Sequence, residues 1–316
     1  MSSSTDAAPP PPPPSSSNGS KVKAKKQQTA KTPSSKVNVL PAWLDDSVDL
    51  FDFDCNLTHP EFTGQADALI ESARHLRVTQ MLVPGSTIEE SQQCLALARQ
   101  HPTTVFPTAG VHPYNATKPF DPSDFAILSS LAADPTVVAV GECGLDYSEG
   151  FPSPDLQLEW FGPQLSLAVS LQKPLFLHER LAHKAFVEAL TPHIPSLPPA
   201  CVHCFTGTAD EAAVYIGMGF YIGITGFVCK QPHGAALQSM LSSGALPLDR
   251  LVVETDAPYM GFPGCRSFEP SGPKRQFPNV PTSLPHVVQA IAGCLGVSAA
   301  EVARVTTRNA RQFLRL

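Results

Sequence analysis

The sequence predicts a parallel (β/α)8 barrel, of the triosephosphate-isomerase type, carrying a disordered N-terminal extension. Three observations carry that reading. Eight short apolar runs alternate with amphipathic stretches from about Ala42 onward; the span is close to the roughly 250 residues of such barrels; and ionisable residues recur at the C-terminal ends of the apolar runs. Strands joined by helices are parallel, with right-handed crossovers.

The predicted strands are, in order, VDLFDF (48–53), VTQMLV (78–83), TTVFPTAG (103–110), TVVAVGE (136–142), PLFLHE (174–179), ACVHCF (200–205), GFYIGIT (219–225) and RLVVET (250–255). Each is short and rich in the β-branched and aromatic residues that favour strands. Helical patterns fall between them, near 65–77, 87–100, 123–133, 157–172, 181–190, 209–217 and 234–243, with two more near 284–295 and 298–314. No glycine-rich nucleotide fingerprint follows a strand, and there is no phosphate-binding P-loop, which argues against a nucleotide cofactor.

The extension, placed at residues 1–44 with the barrel at 45–316, differs in composition. Its first 36 residues contain no aromatic side chain and six consecutive prolines, Pro9 to Pro14. Such a stretch cannot bury enough apolar surface to offset its ordering entropy, and the prolines favour an extended polyproline helix. Six lysines against one acid give it a net +5, leaving −11 on the rest of a chain whose total is −6. A basic tail on an acidic body suits nonspecific nucleic-acid contacts, an import signal or plain solubility.

No 18-residue apolar run is present, so no membrane helix is expected, and the N-terminus lacks the apolar core of a secretory signal. The expected location is cytoplasmic or nuclear, with an organellar address left open by the Ser-rich, acid-poor start. The eight cysteines lack disulfide-scaffold spacing, which fits a reducing compartment. Cys201 and Cys204 alternate along a strand and read as buried thiols.

Position within the strands points to chemistry. Asp54 and Asn56 follow the first strand, His112 the third and Glu142 ends the fourth; His178 lies at the end of the fifth, His203 late in the sixth, and Asp256 after the eighth. Barrel enzymes build their sites at these strand ends. Imidazoles suit zinc-like ions, while carboxylates suit Mg2+ or Mn2+ and can bridge two of them. Two such ions clamp the attacking and leaving oxygens of a phosphoryl displacement. The set therefore reads as a metallohydrolase, with the substrate open. Asp54 is a competent ligand for a hard ion, and Asn56 can bind a cation or a substrate group. Both stand where many metallohydrolase barrels carry a His-x-His pair, which tilts the metal toward Mg2+ or Mn2+, with Zn2+ still possible.

The motifs GVHP (110–113), VGECGLDY (140–147), PLFLHER (174–180), VHCFTG (202–207), YIGITG (221–226) and VVETDAPY (252–259), in this order, resemble the TatD family of metal-dependent deoxyribonucleases. The likeness covers about residues 48–316, and the opening D-x-x-x-NLT resembles a subgroup lacking the first-strand His-x-His. The resemblance implies a metal-dependent hydrolase of DNA phosphodiester bonds, a 3′→5′ exonuclease linked to DNA repair or fragmentation, holding two ions. It implies metal ligation by Glu142, His178, His203 and Asp256, with Asp256 also the base for the attacking water and His112 beside the scissile phosphate. Arg180, two residues beyond His178, is a candidate bidentate phosphate donor or a salt-bridge partner of the following helix. Lys230, beyond the seventh strand, is a second phosphate candidate. The family's Asn-Glu after the last strand is replaced here by Gln276 and Phe277, which removes a carboxylate from that loop. Two alternatives use the same residues: a barrel hydrolase of a small ester or amide, and a weakened DNA-binding adaptor. The oligomeric state is not legible.

Overall fold

A computed structural model describes residues 41–45, 47–269 and 276–316. The extension up to residue 40, together with Lys274 and Arg275, lies outside the described residues, so the expectations for the basic tail are not addressed by the structure. Every predicted strand is present. They are β1 (Leu50–Asp52), β2 (Val78–Val83), β3 (Val105–Ala109), β4 (Ala139–Asp146), β5 (Leu175–Arg180), β6 (Ala200–Val202), β7 (Tyr221–Ile224) and β8 (Leu251–Val253). They form one parallel sheet in sequence order. A parallel bridge between Cys55 and Ala257, with Phe53 N donating to Val253 O at 3.0 Å, brings β1 against β8 and closes the barrel.

Helices α1 (Ala66–His75), α2 (Ile88–Gln100), α3 (Pro122–Ala133), α4 (Pro154–Leu171), α5 (His183–Leu190), α6 (Ala209–Gly217) and α7 (Ala235–Ser242) follow the first seven strands, and α8 (Leu284–Leu295) and α9 (Ala299–Leu314) follow β8. Local chemistry starts them. Ser153 caps α4 with Pro154 at its first position, and Thr208 and Glu211 form a reciprocal capping box on α6, which satisfies amides that have no partner inside the helix. Among the described residues no single helix is long and apolar enough to cross a membrane.

The core has two parts. Apolar side chains between sheet and helices form the larger one, which Leu44 also joins. The smaller lies inside the barrel, where Phe51, Phe53, Leu82, Phe176, Cys201 and Val252 meet Phe313 and Leu314 of α9. The Phe313 ring sits 5.2 Å from Phe53 and 5.9 Å from Tyr221. Asn309 of α9 donates to Leu251 O at the start of β8, and Thr307 donates to Asp49 O before β1. The last helix thus plugs the N-terminal end of the barrel, and the interior opens toward the C-terminal ends of the strands. Burying one aromatic side chain there contributes about 1.5–3 kcal/mol.

Candidate metal centre at the C-terminal mouth

β4 sets the centre. Gly141 and Gly144 have φ of +135° and +153°, and a Cβ on either would run into the backbone carbonyl of Phe176 or His178 in β5. Only glycine allows that approach, and it lays Glu142 against the end of β5. One oxygen of Glu142, Oε1, lies 3.2 Å from His112 Nε2, 3.1 Å from His178 Nδ1 and 2.7 Å from His203 Nε2. Three imidazole nitrogens converge on a single carboxylate oxygen. Two of the rings are oriented from behind. His178 Nε2 is 2.9 Å from Asp146 Oδ2, and His112 Nδ1 accepts from Tyr114 N at 3.1 Å, which assigns the His112 proton to Nε2.

A second group lies on the other side of His203. Its Nδ1 is 3.0 Å from Asp54 Oδ2 and 3.7 Å from Glu254 Oε1. Asp54 and Glu254 are fully buried. Glu254 Oε1 accepts from the backbone N of Cys204, and Gly223 of β7 leaves the space its carboxylate fills. Close as they are, Asp54 and His203 Nδ1 are not aligned as a hydrogen bond. Both Asp54 oxygens, His203 Nδ1 and Glu254 Oε2 are buried without a hydrogen-bond partner. Buried polar groups are almost always paired, and a bound ion is one recognised reason for exceptions. His112, Glu142 and His178 form one cluster of metal-ligand dimensions, and Asp54, His203 and Glu254 form another. These residues fit divalent cations.

Electrostatics agree with that fit. Burial, then the neighbouring Glu142 charge, pushes Asp54 up to about 6, against the lowering contributions of His203 and His178. Asp256 and Glu254 are also pushed well up, burial being the largest cause in both. Burial opposes charge on His203, but Glu142 and Asp54 outweigh it and raise the imidazole well above its usual range. Burial lowers His112. Burial thus favours the protonated carboxyls of Asp256 and Glu254, and a bound ion would displace those protons.

The other predicted residues fall as follows. Asp256 lies at the rim, 8% exposed, with φ +52° and its Oδ1 accepting from Asn56 Nδ2 at 3.2 Å; Asn56 therefore touches the site through Asp256. Arg180 ends β5 with its side chain exposed, two residues from His178 on the same strand. Lys230 lies over the Phe227 ring at 6.0 Å, and no described contact joins it to the cluster. Gln276 and Phe277 are exposed, so neither supplies a group to the centre. His59 sits at the mouth, 2.9 Å from Tyr259 Oη. Asp54 reaches the centre because the strand ends before it. Asp52 accepts from Thr255 N and Oγ1, both at 2.7 Å, between the interior rings of Phe51 and Phe53, and the chain leaves the strand after Asp52 before Asp54 reaches His203.

Sequence reasoning missed Glu254 and Asp146. Each is an acid inside a motif already quoted, ETDAP and GECGLD, and each is buried. An acid beside an apolar strand run was the available signal.

Comparison with known proteins bears on this arrangement. A family model described as "TatD related DNase" matches residues 51–315. The chain is 43% identical over 267 residues to a protein of Erwinia tasmaniensis named 3′-5′ ssDNA/RNA exonuclease TatD, covering 84% of this chain and 100% of that one. It is 42% identical to the protein of the same name from Erwinia billingiae, over 84% and 99%. Among solved structures it resembles YJJV, a TatD homolog from Escherichia coli K12, with TM-score 0.73 and 27% identity, covering 84% of this chain and 98% of that one. A TatD family hydrolase from Entamoeba histolytica shares the fold at TM-score 0.74 and 20% identity, over 84% and 98%.

Proposed function

This chain belongs to the TatD-related DNase family and is a hydrolase acting on phosphodiester bonds; from that premise we propose that it removes nucleotides from the 3′ end of single-stranded DNA or RNA, using two divalent ions. The observation that carries the reading is the pair of ligand clusters set back to back across the 2.7 Å contact between His203 and Glu142. Glu142, His178 and the Nε2 side of His203 would hold one ion. Asp54, Glu254 and the rim carboxylate of Asp256 would hold the other. A neutral imidazole has one lone pair, so His203 ligates on one side while its other nitrogen keeps a proton. The misaligned Asp54–His203 contact and the second partnerless oxygen of Asp54 support an ion there over a simple proton acceptor. Carboxylate-rich surroundings favour Mg2+ or Mn2+, and the imidazoles also admit Zn2+.

When bound, the ions supply charge neutralisation and Lewis-acid polarisation of the phosphate. The chain's own groups do the rest. Asp256, its carboxyl raised by burial and the Asp54 charge and held by Asn56, takes a proton from the attacking water. The water oxygen bonds to phosphorus as the bond to the leaving ribose oxygen breaks, and that oxygen takes up a proton from solvent. His112, with its Nε2–H fixed by the backbone contact at Nδ1, donates to a phosphate oxygen. Arg180 at the end of β5 and Lys230 beyond β7 meet neighbouring phosphates of the strand.

Purified protein with Mg2+ or Mn2+ is expected to release mononucleotides from a 5′-labelled single-stranded oligonucleotide, shortening it from the 3′ end, and EDTA is expected to abolish the release. An intact oligonucleotide in the presence of either metal would refute the nuclease reading.

A further inference from the structure

The three aromatic side chains that stand exposed among the described residues all lie in loops at the mouth of the barrel: Tyr114 is 57% exposed, Tyr259 47% and Phe277 52%. The N-terminal end, plugged by α9, presents none. Tyr114 follows β3 and packs edge-on against Phe151, 5.3 Å between ring centres, and Phe151 lies 6.3 Å from the His112 ring. On the opposite side Tyr259 follows β8. Its backbone N donates to Asp256 O at 2.7 Å, and its ring meets His59 at 5.3 Å. The loop that carries Phe277 is tied to the same segment, because Asn279 N donates to Pro258 O at 2.8 Å. Aromatic surface therefore flanks the acidic centre on two sides, through His112 on one and through Asp256 on the other.

Exposed rings keep an unfavourable contact with water, and exposed apolar surface gathered at one place marks a binding site more often than chance. The chemistry of the centre narrows the ligand. A phosphodiester lying on the ligand clusters has a nucleoside on each side of it, and every base offers a flat face that stacks on an aromatic ring. Bases inside a duplex are already stacked and gain nothing from such a ring. We propose that Tyr114 with Phe151, and Tyr259 with Phe277, are two base-stacking shelves that receive the unpaired nucleotides flanking the scissile phosphate and thereby select single strands. This assignment rests on the nuclease reading above and names the side chains that recognise its substrate class.

The test compares a 5′-labelled oligothymidylate with an abasic strand of equal length, which keeps the sugars and phosphates but carries no bases. Wild-type protein is expected to prefer the base-bearing strand in kcat/KM. The double variant Tyr114→Ala/Tyr259→Ala is expected to reduce that preference by roughly 5- to 100-fold, mainly through KM. Tyr114→Phe, which keeps the ring, is expected to retain the preference. Both positions are exposed, and circular dichroism melts confirm folding of each variant. Cleavage with an unchanged preference in the double variant overturns the shelves and leaves the nuclease reading standing. If the wild type cleaves neither strand, both readings fall.

Discussion

At the scale of single residues, the centre depends on groups that never reach its middle. Asp146 Oδ2 holds His178 Nε2 at 2.9 Å, and Asp146 Oδ1 is itself held by Ser148 N at 2.8 Å. That arrangement turns His178 Nδ1 toward Glu142 and His203. Carboxylates in such a position fix the orientation and basicity of a ligating imidazole, and losing one commonly costs about 10–100-fold in metal affinity. Asp146→Asn is therefore expected to weaken Mn2+ binding by about that factor in isothermal titration, with little change in the thermal melt of the metal-free protein. An affinity within twofold of wild type would remove Asp146 from this role. The sequence shows Asp146 and Glu254 as plain acids in strand-like surroundings. Nothing in a linear pattern says that one carboxylate will lie behind a histidine or that Gly223 will open a space for the other.

At the scale of elements, the strand ends matter more than their middles. Seven strands are shorter than or about equal to the predicted runs, because apolar periodicity marks the barrel wall while the residues beyond it turn into mouth loops. β4 is the exception. Its prediction stops at Glu142, yet the strand continues to Asp146. The glycines at 141 and 144 let two backbones approach too closely for any side chain between them. Gly144→Ala tests this. Its Cβ would meet the His178 carbonyl, at a φ that L-residues rarely adopt, so the variant is expected to lose about 1–3 kcal/mol of stability. It should also bind Mn2+ less tightly, since the strain falls on the backbone of a ligand. A calorimetric melt matching wild type within about 1 °C would contradict that account, because about 1 kcal/mol moves the midpoint by roughly 2–4 °C in a domain of this size class.

At the scale of the whole molecule, most of the architecture was legible. Eight apolar runs, their spacing and their polar ends were enough for the barrel and for Glu142, His178, His203 and Asp256 at one mouth. Two things were not. The pattern near 298–314 shows only one more helix, and the role of α9 as a plug through Phe313 and Leu314 depends on long-range packing. The place of Asp54 rests on the chain leaving β1 after Asp52, which alternation along a strand cannot foresee. With Asp54 beside His203, the barrel mouth holds more buried carboxylate than imidazole, an excess that the proposed two-ion centre would balance. Metal content settles this most directly. Protein equilibrated with Mn2+, freed of loose metal and measured by plasma mass spectrometry and titration, is expected to hold two ions per chain, and Asp54→Ala is expected to hold one. A single ion in the wild type, unchanged in Asp54→Ala, would contradict the two-ion centre.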